Sequence, residues 1–414
     1  MYLSFSELKK AFGGYFVNRH TIASIPKTIW ALGFCSFFTD ISSEMLVVTL
    51  PLYLSASVGV SILLIGVYDG LYGSLSVIFR ILSGYVCDKT GWYKRIAGTG
   101  YGLSFISKCG LAFFNSHIYP IIGFMAIDRL GKGIRTSPRD ALIAKVKGQE
   151  KDVAFHFSIH RLLDNAGAML GPIFAFIILL WLPENYATVF FISMMVSVIG
   201  LAIFIIYVPR DQPKEEKTQV FTKKGVFQRP LLILLSLVLI LNTFSVSESL
   251  LFLAVMQESE LGSYFFPLLF AVSALTFCCT VVPIARISRR WGLFPVYLLG
   301  FVILVIVYAL LMLSILPSYA LILIAALIGI HFAATDGILC ALVTLLVSKQ
   351  YLTSALAIST SIVVIGKLLS SVGFGALWHF MGLQQALIWA SIGLVCAITL
   401  FFAIGKYYFS DKGI

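Results

Sequence analysis

The sequence predicts an all-α membrane protein in which twelve transmembrane helices form two six-helix bundles. Three observations carry that expectation. Of the 414 residues, 59% are hydrophobic and only 12% are charged, whereas soluble proteins carry about 25% charged residues. The chain divides into twelve apolar stretches, most of them reaching the roughly 20 residues a helix needs to cross a bilayer. The basic residues of the connecting segments all collect on one side of that membrane.

The stretches fall near 28–54, 61–86, 96–114, 119–144, 153–181, 186–208, 230–256, 262–284, 293–315, 319–346, 353–378 and 384–405. The fourth and fifth carry many charges and are the least apolar. If the helices alternate in direction, one set of connections holds Lys9, Lys10, Arg19, Lys89, Lys94, Arg95, Lys145, Lys147, Arg286, Arg289, Arg290, Lys349 and the basic residues of 209–229. The other set holds Glu184, Glu258 and Glu260 and no Lys or Arg. The positive-inside rule then predicts cytoplasmic termini and residence in the inner (cytoplasmic) membrane. It also accounts for the net charge of +11, so nucleic acid is not an expected partner. Residues 1–27 lack the apolar core and cleavage site of a secretory signal.

The longest polar connection, PRDQPKEEKTQVFTKKGVFQR at 209–229, divides the chain. The expected layout is a cytoplasmic N-terminal segment 1–27, a bundle 28–208, a cytoplasmic linker 209–229, a bundle 230–405 and a cytoplasmic tail 406–414. The halves echo each other. Ser43-Glu44 in the first span is matched by Ser247-Glu248 in the seventh, and GYVCDKTG at 84–91 by ARISRRWG at 285–292. Internal repeats of this kind mark transporter folds.

The seven cysteines have no metal spacing and read as small buried side chains. No metal or cofactor is expected. The chain has no GxxxxGKS/T phosphate loop, so any energy for transport comes from an ion gradient. It has no HExxH or GxSxG either, which leaves a membrane-embedded enzyme, like a receptor, as a remote alternative.

Charges at membrane depth are the informative residues, because each costs roughly 2.5–3.5 kcal/mol at the centre of a helix. They are Asp40 and Glu44 in span 1, Asp69 in span 2, and Asp128, Arg129, Lys132 and Arg135 in span 4. Span 5 adds Arg161 and Asp164 with His160 beside them, span 7 Glu248, span 10 Asp336 and span 11 Lys367. Spans 6, 9 and 12 have none, and span 3 has only Lys108, expected to snorkel or to pair locally. Every third helix is thus suited to lipid, around a polar interior. Asp40 and Glu44 share one helix face. Asp128, Lys132, Arg135 and Arg139 make a polar stripe down span 4, and His156, His160 and Asp164 another down span 5. His160 and Arg161 are both within reach of Asp164 on their own helix. Arg129 or Arg161 paired with these carboxylates could serve function or simply lock the bundle.

These residues carry a family resemblance over essentially the whole chain. GYVCDKTGWYKR at 84–95 resembles the loop 2–3 signature of the major facilitator superfamily, with Gly84, Asp88, Lys89 and Gly91 in register and the basic pair displaced to Lys94 and Arg95. Arg129 with Gly133 resembles its helix 4 arginine motif. Gly167, Gly171 and Pro172 resemble the GxxxGP motif of helix 5, often seen in antiporters. FTDISSEM at 38–45, GKGIRTSPRDALIA at 131–144, HRLLDNAGAMLGP at 160–172 and TDGILCALV at 335–343 resemble a poorly characterised prokaryotic subgroup. The resemblance implies the major facilitator fold, a monomer, and secondary active transport of a small solute by alternating access.

The residues themselves suggest roles. Asp88 is suited to latch a gate through helix dipoles. Gly84 and Gly91 allow a tight turn, and Gly167, Gly171 and Pro172 allow close packing and a bend. Asp40, Glu44 and Asp164 are the expected proton carriers. The remaining intramembrane charges, with His160 and His331, are expected to line the solute cavity. Arg129, Lys132, Arg135, Arg161 and Lys367 favour an organic anion such as a carboxylate siderophore. Tyr53, Tyr68 and Tyr72 offer stacking surfaces. The GxxxGP resemblance tilts the expectation slightly toward export.

Overall fold

The computed structural model describes residues 25–114, 117–144, 146, 150–209, 229–257, 262, 264–313, 318–347 and 352–409. Most of the N-terminal segment 1–27, most of the linker 209–229 and the end of the tail 406–414 lie outside them. The helices are α1 (Lys27–Ala56), α2 (Ile62–Thr90), α3 (Tyr93–Phe113), α4 (Ile118–Ala144), α5 (Glu150–Trp181), α6 (Tyr186–Tyr207), α7 (Arg229–Thr243), α8 (Glu248–Gln257), α9 (Phe265–Trp291), α10 (Leu293–Leu311), α11 (Ser318–Leu346), α12 (Leu352–Met381) and α13 (Leu383–Phe409). α7 and α8 lie within one span, which gives twelve spans among the described residues.

Ten of those spans are long and apolar enough to cross a membrane. The two that fall short are α3 and α4. The fourth was expected to be weak, but the fifth qualifies from Ile159 to Trp181. Its charges stop at Asp164 and an apolar run follows. α3 fails instead, with Lys94, Arg95 and Lys108 among glycines and serines. The two poor spans pack against each other: α3 lies on α4 and α6, and α4 also on α2.

α1 is the buried centre of the first half, packed against α5 and α6. Ser42 and Ser193 exchange hydrogen bonds to each other's carbonyls at 2.7 Å, tying α1 to α6. In the second half α9 and α10 pack on α11, and α7 and α13 on α12. Close glycine contacts repeat between the halves. Gly133 of α4 abuts the Ser76 carbonyl of α2, and Gly329 of α11 abuts the Ser273 carbonyl of α9. Gly167 of α5 abuts Phe37 of α1, and Gly366 of α12 abuts Asn242 of α7. Such small-residue contacts let helix backbones approach without a hydrophobic driving force.

The halves meet along α2 with α12 and α5 with α9. At Gly66 a side chain would collide with the Ser371 carbonyl, and it would lie 3.1 Å from the Gly375 Cα. Phe176 of α5 meets Tyr264, just before α9, at 6.4 Å between ring centroids. All these residues lie toward the membrane face whose connection holds Glu184, here called the acidic end. The face carrying Lys89, Lys94 and Arg95 is the basic end.

Three expectations change. The seventh span is not continuous: the helix breaks at 244–247. The hydroxyl of buried Tyr308 on α10 fills the break, accepting from the Val246 N–H at 2.7 Å and donating to the Phe244 carbonyl at 3.0 Å. Gly84 is not in a loop. It lies inside α2, against Ser137 of α4, and only Gly91 makes the turn, as the C-cap with φ 75°. The cysteines divide: Cys35 and Cys87 are buried, but Cys278, Cys279, Cys340 and Cys396 are exposed.

Candidate functional site

The polar stripe of α4 faces α1 and α5, and its cations meet carboxylates in order of depth. Lys132 Nζ lies 3.6 Å from Glu44 Oε1, and an Arg135 Nη lies 3.5 Å from Asp40. Arg139 reaches Asp164 at 3.2 Å and its neighbour Asp140 at 3.1 Å. A one-turn step down α1 (Glu44 to Asp40) is thus matched by a near-turn step along α4, as the helical period requires. Asp40 and Arg135 are buried, while Glu44 and Lys132 are partly open.

Around these pairs lies a cavity of about 240 Å³ lined by Asp40, Arg80, Lys132, Arg135, Arg139 and Asp164 among others. His160 shares the Ser36 hydroxyl with Arg139, at 2.9 Å and 3.1 Å. The glycines of the GxxxGP motif press α5 onto the same stretch of α1. A side chain at Gly171 would sit 2.7 Å from the Glu44 Cβ. Their close packing therefore fixes the helix that carries Asp40 and Glu44, with Pro172 inside α5 just beyond.

Deeper in the first half is a closed charge cluster. Lys108 is wholly buried, so it neither snorkels nor meets solvent. It reaches across helices, to Asp128 of α4 at 3.3 Å and Ser43 of α1 at 3.1 Å. Arg129 takes the other oxygen of Asp128 at 2.7 Å, and Ser104 donates to the first. The Arg129 guanidinium lies 3.6 Å from the Tyr72 ring centroid, a cation–π contact. Tyr68 lies tilted against Tyr72, whereas Tyr53 packs on Tyr186 and Phe190.

Arg161 does not pair with Asp164. It is exposed and forms no ion pair among the described residues, because Arg139 from α4 has taken that carboxylate. Asp69 accepts from Ser371 on α12 rather than from a cation. In the second half His331 is held by the Gly300 carbonyl at 2.8 Å. Lys367 sits 5.0 Å from the Phe332 ring centroid, within electrostatic range of Glu248 and Asp336. At the basic end, Lys94 donates to the Ile205 carbonyl at 3.2 Å and to that of Val208, closing the end of α6. Arg95 lies over Trp92 at 5.2 Å, and Lys89 is exposed. The Asp88 side chain lies outside the described residues.

Arg80 and Asp140 escaped the sequence reading. Arg80 of α2 pairs with Asp140 at 3.7 Å, and Arg139 joins Asp140 to Asp164. Arg80 lies inside the apolar second span, so the rule that flagged Asp69 also applied to it. Arg139 was visible in the α4 stripe, but its partners were not.

The Major Facilitator Superfamily model matches residues 32–317. An uncharacterised MFS-type transporter of Methanocaldococcus jannaschii is 29% identical over 398 residues, covering 93% of this chain and 97% of that protein. Among solved structures, the nucleoside transporter NupG has a TM-score of 0.76 at 16% identity, covering 92% of this chain and 99% of its own. A POT family transporter in complex with a thioalcohol-conjugated peptide has a TM-score of 0.75 at 15% identity, covering 95% and 99%.

Proposed function

The chain belongs to the major facilitator superfamily, and from that premise we propose that it couples the movement of a small solute to protons through Asp40, Glu44 and Asp164. The family makes it a multi-pass membrane transporter rather than an enzyme. The observation that carries the coupling reading is the register of three carboxylates on α1 and α5 against Lys132, Arg135 and Arg139 on α4.

Each of these ion pairs is stable only while its carboxylate is ionised. Protonation removes the charge and frees a cation inside a polar cavity, at the seam where α4 meets α1 and α5. Breaking the buried Asp40–Arg135 pair by removing one charge costs about 3–5 kcal/mol, enough to bias one arrangement of helices over another. Alternating access then proceeds by rocking of the bundles 28–208 and 230–405 about the linker 209–229. The contacts at the acidic end close one side, and Gly91, Asp88 and Lys89 mark the gate at the other. The basic connections favour a cytoplasmic basic end, with the protein in the inner membrane.

The test is solute-driven proton movement in sealed proteoliposomes, read with a trapped pH dye. Asp40→Asn, Glu44→Gln and Asp164→Asn are expected to abolish it. Proton movement undiminished in all three variants contradicts the assignment.

A further inference from the structure

The cations of the first half are held in two ways. Arg129 is closely bound, 2.7 Å from Asp128, and Arg139 lies 3.2 Å from Asp164 and 3.1 Å from Asp140. The other cations lining the 240 Å³ cavity are held loosely. Arg80 lies 3.7 Å from Asp140, Lys132 3.6 Å from Glu44 and Arg135 3.5 Å from Asp40. All three separations exceed the roughly 2.7–3.2 Å of a well-made hydrogen bond. Arg135 is only 2% exposed, and its second Nη has no hydrogen-bond partner among the described residues. A buried donor left unmade is costly, so this cavity keeps donors open that a purely structural network would have closed.

The charges around the cavity set the sign of what those donors take. Arg80, Lys132, Arg135 and Arg139 line it together with Asp40 and Asp164, and Glu44 and Asp140 pair with its cations from beside it. That makes four cations against four carboxylates. His160 of α5 reaches the site through Ser36, and the Arg135 guanidinium lies 5.1 Å from the ring centroid of Tyr101 on α3. Further charges on the packed helices, Arg161 of α5 and the cluster of Lys108 and Arg129 on Asp128, add positive sign. Asp69 of α2 is bound to Ser371 of α12 and does not line the cavity. A guanidinium keeps its charge at every physiological pH, whereas a carboxylate or an imidazole can take up a proton. Proton uptake therefore moves this cavity from neutral toward positive and never toward negative.

Resting on the proton reading above, we propose that this cavity binds a small oxyanion, a carboxylate or a phosphate, and that its own carboxylates admit the anion by taking up protons. The open donors of Arg80, Lys132 and Arg135 hold the oxyanion, for which the guanidinium fork is well shaped. Arg80 is 54% exposed, and a charge kept within a membrane protein meets water rather than lipid, so solutes have access on that side. Anion and proton occupy the site together and cross in the same direction. An inward proton gradient then draws the solute in, against the slight tilt toward export that the GxxxGP resemblance gave. The volume of about 240 Å³ falls below the roughly 300–1,000 Å³ of sites for drug-sized ligands, which favours a small anion over a siderophore.

The test is titration calorimetry on the purified full-length protein, in acid and in alkaline buffer. The probes are inorganic phosphate, lactate and succinate, with glycine and tetraethylammonium as controls. At least one oxyanion is expected to bind about tenfold or more tighter in acid, with proton uptake by the protein, and the controls are expected to be silent. Arg135→Gln and Arg80→Gln are each expected to weaken that binding about tenfold or more. Arg80 is half exposed, so its variant reads the lost charge even if Arg135→Gln damages the fold. Asp40→Asn is expected to flatten the pH dependence. In proteoliposomes an inward acid gradient is expected to drive uptake of the bound anion. The proposal is overturned if all three oxyanions are silent on the folded protein, if both arginine variants bind as wild type does, or if the anion leaves as protons enter. An oxyanion that binds through both arginines equally well in acid and alkali keeps the anion site and overturns the proton reading, and the shared direction with it. A cation that moves protons through Asp40 and Glu44, with oxyanions silent, does the reverse.

Discussion

The Asp69 carboxylate on α2 accepts a hydrogen bond at 2.8 Å from the hydroxyl of Ser371 on α12. This bond joins the two halves of the chain at the acidic end, where Gly66 and Gly70 let α2 lie directly against α12. It acts as a latch on that side, since rocking the halves apart there must break it. Ser371→Ala is expected to favour the open arrangement at the acidic end about three- to tenfold, the worth of one net hydrogen bond. Labelling of a cysteine placed at Ser55, in a cysteine-free background, by a membrane-impermeant maleimide reads this. Unchanged labelling contradicts the latch.

The contact beside it sets a steric prediction. A methyl at Gly66 collides with the Ser371 backbone, which cannot yield as a side chain can. Gly73, two turns along the same face, would meet only a Val364 methyl at 3.8 Å. Gly66→Ala is expected to cost about 1–3 kcal/mol in the closed arrangement and to impair transport, while Gly73→Ala is expected to be mild. Thermal melting together with exchange assays ranks the two variants, and an equal effect contradicts the packing.

The break in the seventh span depends on one hydroxyl. Tyr308→Phe keeps the ring but leaves the Val246 N–H and the Phe244 carbonyl unserved. The expected loss is about 1–3 kcal/mol per unsatisfied buried group, with faster hydrogen exchange confined to 244–250. Exchange rates equal to wild type in that segment would show that the hydroxyl does not hold the break.

The Lys108 cluster predicts an order of effects. Asp128 serves two cations and Lys108 only one carboxylate. Asp128→Asn strands both Lys108 and Arg129, whereas Lys108→Met leaves Asp128 with Arg129. Both variants are expected to destabilise the protein, Asp128→Asn by the larger amount, with about 3–5 kcal/mol as the scale for a broken buried pair. Melting temperatures in the reverse order contradict this division of labour.

The spans were legible because lipid imposes length and apolarity on every crossing segment. The match of α1 with α4 was half-legible. The spacing of Asp40 and Glu44, and of Lys132, Arg135 and Arg139, put each set on one face, but the partner of each face depends on tertiary packing. That is why Arg161, three residues before it on the same helix, looked like the partner of Asp164 when Arg139 is. The break at 244–247 has no Pro or Gly to announce it. Its signal was the serines at 245 and 247, whose side chains compete for backbone bonds. Tyr308, which completes the break, is far away in sequence. Gly84 was misplaced because its motif straddles a boundary, and helix α2 continues to Thr90.

The most direct test of the coupling account compares two assays on one preparation, counterflow exchange of a transported solute and its accumulation driven by a pH gradient. In the wild type both are expected. In Asp40→Asn and Glu44→Gln, exchange is expected to persist while accumulation is lost, because the solute path remains but the proton no longer gates it. If both variants accumulate solute against the gradient as the wild type does, these carboxylates do not couple transport to protons and the account is wrong.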